Sequence, residues 1–191
     1  AALARGLRPA VAVFSESFWP LAPTEWAQCA TKIIVLSDAL FADISALESP
    51  AAMGYVLELP APQPPDPQMP SVVLDRVQDA GNVGSILRSA AAFGFGQVLA
   101  LKGSAALWSP KVLRAGMGAH FGLRLHEGLA VEDLQALRVP LLVTHVHGGD
   151  YLHQAALPWP CAWVLGHEGQ GVSDALLARA HQRIRIAQPG G

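Results

Sequence analysis

Two segments of the chain combine glycines with polar side chains in spacings that could bind a ligand and act on it. In the first motif, residues 82–88, Asn82 and Arg88 stand in the pattern Asn-x-Gly-x-x-x-Arg. In the glycine-rich loop, residues 166–171, Glu168 stands among glycines that permit a tight turn and a close approach of the backbone to a ligand. Neither segment has the G-x-G-x-x-G or Walker spacing of nucleotide-binding loops. Asn82 and Arg88 also have explanations without a ligand, because an asparagine can cap a helix and an arginine can be solvated on the helix surface.

Residues 144–153 contain three histidines and one aspartate, which raises the question of a metal site. His145 and His147 are two residues apart and would share one face of a strand. Zinc needs three or four converging ligands, and a His-x-His spacing alone is common, so we expect no metal. The chain also lacks a nucleophile elbow and a Ser, His and Asp order that would support acyl transfer.

The composition excludes several classes of protein. The chain has 191 residues, of which 51% are hydrophobic and 15% are charged, so it can bury a core and is not disordered. No apolar run reaches the roughly 20 residues that a bilayer requires, and no secretory signal is visible. Cys29 and Cys161 lie far apart and show no framework spacing, as is typical of free thiols. We therefore expect a cytoplasmic protein that does not enter a membrane.

The charge of the chain is unevenly distributed. A net charge of -2 and a pI of 6.4 argue against a strongly basic nucleic-acid-binding protein. Residues 80–126, however, contain five basic residues and no acidic one. This stretch predicts a positive face on a slightly acidic molecule. The basic residues are Arg88, Lys102, Lys111, Arg114 and Arg124.

A proline-rich segment divides the chain. Six of the eleven residues in 60–70 are proline, which predicts an extended spacer. We assign residues 61–70 as a linker between a small α/β domain, 1–60, and a larger domain, 71–191. In the small domain the pattern predicts strands at 11–14, 32–36 and 54–59 and helices at 24–30 and 38–44, the last capped by Asp38.

Strands and helices alternate after the linker, which predicts a parallel sheet with helices on both faces. Ser109 is the expected N-cap of a helix that starts with Pro110. Ligands of such sheets bind beyond the carboxyl ends of the strands, where the first motif and the glycine-rich loop are expected. The predicted strands are 72–75, 97–101, 141–145, 162–165 and 183–187, and the predicted helices are 83–93, 110–117, 131–137 and 173–180.

Taken in this order, the motifs resemble those of the SpoU (TrmH-like) branch of the SPOUT RNA methyltransferases. The resemblance spans residues 71–191 and rests on the first motif, the glycine-rich loop and the helix at 111–120 between them. It implies an α/β fold with a parallel sheet, flanking helices and a C-terminal trefoil knot, preceded by a small RNA-binding domain. Two positions depart from the family pattern: His167 stands where asparagine is usual, and Ala80 where proline is common.

The resemblance also implies that the sequence is incomplete at both ends. The family's third motif continues into a Ser-Leu-Asn segment, which we expect after Gly191. That segment would complete the knot and one wall of the cofactor pocket. The small domain is expected to lack its first element.

The function implied by the resemblance is ribose 2'-O-methylation of tRNA or rRNA by a homodimer that uses S-adenosylmethionine (AdoMet) without metal. Asn82, Arg88 and Glu168 would be catalytic, with Asn82 holding the ribose, Glu168 ordering the glycine-rich loop and Arg88 stabilising the developing alkoxide. Arg88, Lys111 and Arg114 would contact RNA. The residues implied in AdoMet binding are Thr144, Leu165, Gly166, Gly171 and Ile186.

Two other functions are compatible with the sequence. One is a non-catalytic RNA-binding protein that retains the fold, which would not bind AdoMet. The other is an AdoMet-dependent enzyme that methylates an RNA base, which would not need the pairing of Asn82 with Arg88.

Overall fold

The computed structural model describes residues 3–45, 51–59 and 61–187, and it divides the chain into two compact units. The first unit is Ala1–Ala61 and the second is Pro62–Gly191. No helix in the described part of the chain is long and apolar enough to cross a membrane.

The first unit contains a three-stranded sheet in the order β2-β1-β3. Strand β1 pairs parallel with β2 and antiparallel with β3. Ala12, Phe14 and Ala27 form the buried core of this unit. Its elements are β1 Val11–Ser15, α1 Thr24–Gln28, β2 Lys32–Leu36, α2 Asp38–Ile44 and β3 Met53–Val56, with 3-10 turns at Leu3–Arg5 and Trp19–Leu21.

The cap of α2 differs from the prediction. Ser37 is the N-cap, because its hydroxyl accepts a hydrogen bond from the backbone N–H of Leu40 at 3.3 Å. Asp38 is the first helical residue, and its carboxylate accepts a hydrogen bond from the Ser17 hydroxyl at 2.9 Å. A serine immediately before an aspartate leaves two candidate caps, and the sequence does not decide between them.

The second unit contains a seven-stranded sheet in the order β6-β5-β4-β9-β7-β10-β8, and all its strand pairings are parallel. The prediction of a parallel sheet is thus confirmed. Its strands are β4 Ser71–Asp75, β5 Gln97–Leu101, β6 Arg124–Leu129, β7 Leu141–Thr144, β8 Asp150–Tyr151, β9 Ala162–Gly166 and β10 Gln182–Arg185. Its helices are α3 Ala80–Ala92, α4 Pro110–Gly116 and α5 Asp174–Leu177, with 3-10 helices at Ala119–Gly122 and Val131–Ala136.

Apolar residues cover both faces of this sheet. Along β4, Val72 and Leu74 belong to one cluster and Val73 to another, because successive side chains of a strand point to opposite faces. The cluster that contains Leu74 also contains residues of α3 and α4, such as Val83 and Val112. The other cluster contains Leu176 of α5 together with Leu134 and Val139. Helices therefore lie on both faces of the sheet, and loops follow the strands at its carboxyl edge.

Helices α3 and α4 pack closely at Gly84. A β-carbon at Gly84 would lie 2.3 Å from the β-carbon of Ala115 and 2.8 Å from the backbone nitrogen of Gly116, so a side chain does not fit. Helix α4 has the predicted start, since the Ser109 hydroxyl accepts a hydrogen bond from the N–H of Val112. The close approach at Gly84 fixes α3, the helix of the first motif, against α4, the basic helix that contains Lys111 and Arg114.

Candidate functional site

The carboxyl edge of the sheet brings the motif segments together. Strands β4, β9, β7 and β10 are neighbours in that order, and parallel strands present their carboxyl ends at the same edge. Asp75, the last residue of β4, is in register with Gly166, the first residue of the glycine-rich loop. Thr144, the last residue of β7, is in register with Ile184 of β10. Segments about 90 residues apart in the sequence are thereby adjacent in space.

Glu168 joins the glycine-rich loop to the start of α3. Its carboxylate accepts hydrogen bonds from the backbone N–H of Asp79 at 3.2 Å and of Gln78 at 3.4 Å, and from the side-chain amide of Asn82 at 3.3 Å. These bonds, with the larger effect of its own backbone N–H, lower the pKa of Glu168 from 4.5 to about 2, although burial acts in the opposite direction. Glu168 is therefore an anion at every physiological pH.

Asn82 lies in the first turn of α3 and not in a preceding loop, which corrects two sequence expectations. The helix begins at Ala80, before the predicted start at residue 83, because the Asp79 carboxylate accepts a hydrogen bond from the N–H of Asn82 at 2.7 Å and caps the helix. Asn82 is consequently not the cap of the helix. Its side chain is directed to Glu168 by the helix itself.

Arg88 is not brought into contact with Asn82 or Glu168. It follows Asn82 by six residues in α3, which corresponds to about 9 Å along the helix axis and about 120° around it. Arg88 is exposed, and its side chain has no hydrogen bond or ion pair with the residues that the structure describes. The three predicted catalytic residues thus form one contacting pair and one separate cation.

Asp75 and Arg76 form a second connection between the two segments. The Arg76 guanidinium donates to both oxygens of Asp75, at 3.0 Å and 3.3 Å, to the side-chain oxygen of Gln170 at 2.8 Å and to the carbonyl of Gly171 at 3.3 Å. Asp75, 3% exposed, also accepts from the N–H of Ser173 at 2.6 Å. Burial, the largest single effect, would raise the pKa of Asp75, but the hydrogen bonds from Arg76 and Ser173 together outweigh it and lower that pKa.

Asp75, Arg76 and Gln170 are site residues that the sequence alone does not predict. An Asp-Arg pair at the end of a buried strand has no spacing that distinguishes it from a surface ion pair. Its partners Gln170 and Gly171 are more than 90 residues away, so no local pattern indicates the cluster.

The glycine-rich loop is held by its own hydrogen bonds. The N–H of His167 donates to the carbonyl of Gly171 at 3.1 Å, and the N–H of Gly171 donates back at 2.8 Å. The Nδ1 atom of His167 accepts from the N–H groups of Gly169 and Gln170, at 2.9 Å and 3.2 Å. An asparagine oxygen can accept such bonds in a turn, so this histidine supplies the same kind of acceptor as the residue that the family pattern usually has here.

The five residues predicted to bind AdoMet lie at this edge of the sheet. Thr144 ends β7, and its hydroxyl donates to the carbonyl of Val164 at 3.0 Å. A β-carbon at Gly166 would lie 2.3 Å from the backbone of Gly171, so the chain reverses tightly there. Gly171 has a φ of 69°, which favours glycine. The remaining two are Leu165, half-buried in β9, and Ile186, 66% exposed.

The last strand is shorter than predicted. Its pairing with β7 reaches Ile184 and its pairing with β8 reaches Arg185, so Ile186 follows the strand. Residues 188–191 lie outside the described part of the chain.

His145, His147 and Trp108, which precedes α4, make contacts with other rings. Trp108, beside the basic helix, packs with its ring 5.3 Å from that of the buried His120. The rings of His145 and His147 are 6.2 Å apart. Among residues 3–45, 51–59 and 61–187, no three His, Cys, Asp or Glu side chains converge as metal ligands would.

Three basic side chains are exposed on α3 and α4. Arg88 on α3 and Lys111 and Arg114 on α4 are all exposed. Because the two helices pack closely at Gly84, these cations lie on adjacent helices. This arrangement could bind a phosphate backbone.

The SpoU rRNA methylase family model matches residues 69–191, which is more than half of the chain. The chain belongs to the SpoU rRNA methylase family. The matched region contains the first motif, α4, the glycine-rich loop and the last strand, so the resemblance drawn from the motifs is confirmed.

Individual members of the family agree with this assignment. The 23S rRNA (guanosine(2553)-2'-O)-methyltransferase RlmP of Bacillus subtilis is 29% identical over 155 residues, which are 80% of this chain and 62% of that protein. The chain spans smaller shares, 12% to 25%, of several mitochondrial rRNA methyltransferases that it also matches. It thus spans less than two thirds of the length of these curated relatives.

Solved structures of the family have the same fold. A TrmH-family protein from Porphyromonas gingivalis superposes with a TM-score of 0.81 and 31% identity, over 96% of this chain and 75% of that one. The SpoU methyltransferase AviRb from Streptomyces viridochromogenes, solved with AdoMet, superposes with a TM-score of 0.82 and 22% identity, over 100% of this chain and 78% of that one.

Proposed function

We propose that the protein is an AdoMet-dependent methyltransferase that transfers a methyl group to the 2'-oxygen of a ribose in rRNA or tRNA. Membership of the SpoU family supports methyl transfer to RNA, and the name of the Bacillus subtilis relative supports the ribose oxygen. The observation that carries the proposal is the contact between Asn82 and Glu168, which joins the family's two motif segments at the carboxyl edge of the sheet.

The residues at this edge fit AdoMet. Leu165 and Ile186 offer apolar surface suited to a flat adenine ring. At Gly171 no atom lies within 4 Å of the place that a β-carbon would occupy, so a ligand can reach its backbone. Thr144 and Gly166 lie at the two adjoining strand ends, where backbone groups can hydrogen-bond a ligand. We infer that these five residues hold the cofactor.

When bound, AdoMet supplies an electrophilic methyl group on a sulfonium, and its transfer to oxygen needs no metal. The residues of the chain align the ribose hydroxyl and exclude water. In this proposal Asn82 holds the ribose and Glu168 keeps the glycine-rich loop in place. Arg88 favours the developing alkoxide electrostatically. A guanidinium cannot act as a base, so the proton passes to a phosphate oxygen or to water.

RNA is proposed to bind along α3 and α4. Lys111 and Arg114 would neutralise phosphates, and Arg88 would reach the phosphate next to the reacting ribose. The small unit, residues 1–60, is proposed as a second RNA-binding surface, connected by the linker 61–70. Its support is the separate compact fold of that unit.

Three further features of the family are proposed for this protein. A C-terminal trefoil knot in the domain 71–191 is supported by family membership and by the position of β10 inside the sheet, between β7 and β8. A homodimer is supported by the 51% hydrophobic content. Light scattering of the intact protein at micromolar concentration is expected to give twice the monomer mass, and the monomer mass would contradict the dimer. A cytoplasmic location is supported by two free cysteines, Cys29 and Cys161.

Titration calorimetry tests the cofactor assignment. We expect the intact protein to bind AdoMet in a buffer that contains a metal chelator, because the proposed pocket is made of backbone and apolar groups. Absence of heat at millimolar AdoMet would contradict the proposed function and would favour a non-catalytic RNA-binding protein.

A further inference from the structure

Arg76 has a backbone conformation that is uncommon for an arginine. Its φ is 61°, in the left-handed region, and Met117 is the other non-glycine residue in the described part of the chain with a positive φ. This conformation turns the chain immediately after β4, where the first motif segment leaves the sheet.

The turn directs the Arg76 side chain toward the glycine-rich loop. The methylene stem passes beside Gly103, where a β-carbon would lie 3.2 Å from Cγ of Arg76. The guanidinium then contacts Asp75, Gln170 and Gly171 at once. The cluster therefore connects loops that follow three adjacent strands, β5, β4 and β9.

The partners of Arg76 keep the guanidinium in place. Asp75 is buried and binds two nitrogens of the guanidinium, a geometry that fixes the plane of the group. The side chain of Arg76 is 31% exposed, whereas Glu168, the other connection between the two segments, is exposed. Water competes less with the part-buried contacts of Arg76 to Asp75 and Gly171 than with those of Glu168, whereas the contact of Arg76 with Gln170 is exposed.

We propose that Arg76 is a positioning residue that holds the glycine-rich loop in its binding conformation before AdoMet arrives. Arg76 acts through the carbonyl of Gly171 and the side chain of Gln170, and it does not touch the substrate. A loop that is ordered in advance loses less entropy on binding, so the contact increases the affinity for AdoMet and leaves the chemical step unchanged. The effect on AdoMet rests on the proposed function; the effect on the loop does not.

Three variants separate the contacts from the backbone conformation. Arg76→Gly keeps a backbone that accepts a positive φ and removes the guanidinium. Arg76→Lys keeps the charge but cannot donate to three partners with the geometry of a guanidinium. Arg138→Ala is the matched control, because Arg138 is an exposed arginine of the same unit without a side-chain hydrogen bond to the described residues.

Hydrogen exchange of the intact protein without cofactor tests the loop. The amides of His167 and Gly171 bond to each other's carbonyls, so their exchange reports whether the loop is closed. We expect about tenfold faster exchange or more in Arg76→Gly, and no change in Arg138→Ala. Unchanged exchange in Arg76→Gly would overturn the proposal.

Steady-state kinetics test the consequence for AdoMet. In Arg76→Gly and Arg76→Lys we expect the KM for AdoMet to rise about tenfold, with kcat and the KM for RNA within about twofold of wild type. A general loss of structure would lower kcat as well, and an equal fall of kcat, or an unchanged KM for AdoMet, would overturn the positioning role.

One further variant covers misfolding of Arg76→Gly, and the exchange experiment covers a failure to bind AdoMet. If Arg76→Gly does not fold, Gln170→Ala removes one exposed partner of the guanidinium, and its loop amides should exchange faster than wild type. If the wild-type protein does not bind AdoMet, the proposed function fails, and the exchange experiment still decides whether Arg76 holds the loop.

Discussion

At the scale of single residues, the site separates into side chains that hydrogen-bond within the protein and one, Arg88, that has no such bond to the described residues. Asn82 is tied to Glu168, and Arg76 to Asp75. Arg88 is exposed on the same helix as Asn82. Held groups can order a pocket, whereas an exposed cation can act on an RNA that arrives from outside. Replacing a residue of the first kind should therefore change the order of the pocket, and replacing Arg88 should change the reaction with bound RNA.

Arg88→Ala tests the role of the exposed cation. If Arg88 stabilises the developing alkoxide, the single-turnover rate at saturating protein should fall about 100-fold or more, with AdoMet affinity and folding unchanged. The control is Lys111→Ala, which should weaken RNA binding and reduce its salt dependence but keep the rate near wild type once the RNA is bound. An Arg88→Ala protein that behaves like this control would remove Arg88 from the chemistry.

The low pKa of Glu168 predicts a specific pH dependence. A carboxyl whose pKa falls from 4.5 to about 2 on folding stabilises the folded state above pH 4.5, and this contribution is lost as the pH falls from 4.5 toward 2. The difference in unfolding free energy between wild type and Glu168→Gln should be constant from pH 5 to 8 and shrink below pH 4.5. Denaturant titrations at each pH measure it, and a difference that varies between pH 6 and 8 would argue against the assignment.

At the scale of secondary-structure elements, the close packing of α3 on α4 determines where the first motif and the basic helix lie. We expect Gly84→Ala to reduce the unfolding free energy by about 1–3 kcal/mol, because the new methyl group must push Ala115 and the α4 backbone away. Ser89→Ala, on the exposed side of the same helix, should change it by less than about 0.5 kcal/mol. A Gly84→Ala protein as stable as this control would show that the two helices can separate without cost.

The elements that the sequence predicts well are those whose burial is uniform. Every residue of β4 and β5 is buried, and each strand has an apolar run, 72–74 in β4 and 98–101 in β5. Their predicted bounds agree with the structure to within one residue. Strands β6 and β8 were missed because edge strands mix polar and apolar residues, as in Arg-Leu-His-Glu-Gly-Leu of Arg124–Leu129. Two helices differ from their predictions. The segment predicted as a helix at 131–137 is a 3-10 helix at Val131–Ala136, and the helix predicted at 173–180 covers only Asp174–Leu177.

At the scale of the whole molecule, the arrangement of the site depends on the order of the strands, which no spacing in the sequence reveals. The order β4-β9-β7-β10 places Asp75, Gly166 and Thr144 at neighbouring strand ends. The motifs identified the family, which implied that Asn82, Glu168 and Arg88 act at one site, but only Asn82 and Glu168 are in contact. The motifs did not indicate Arg76, because its contacts depend on a left-handed backbone conformation and on partners in a distant loop.

The central claim is methyl transfer from AdoMet to a ribose 2'-oxygen, and the alkali resistance of the product RNA tests it most directly. The intact protein is incubated with rRNA or tRNA and AdoMet labelled in its methyl group, and the RNA is then hydrolysed in alkali. A methylated 2'-oxygen cannot attack the adjacent phosphodiester, so we predict that the label remains in dinucleotides that resist cleavage. Label in ordinary mononucleotides would indicate base methylation and contradict the claim, as would RNA that acquires no label.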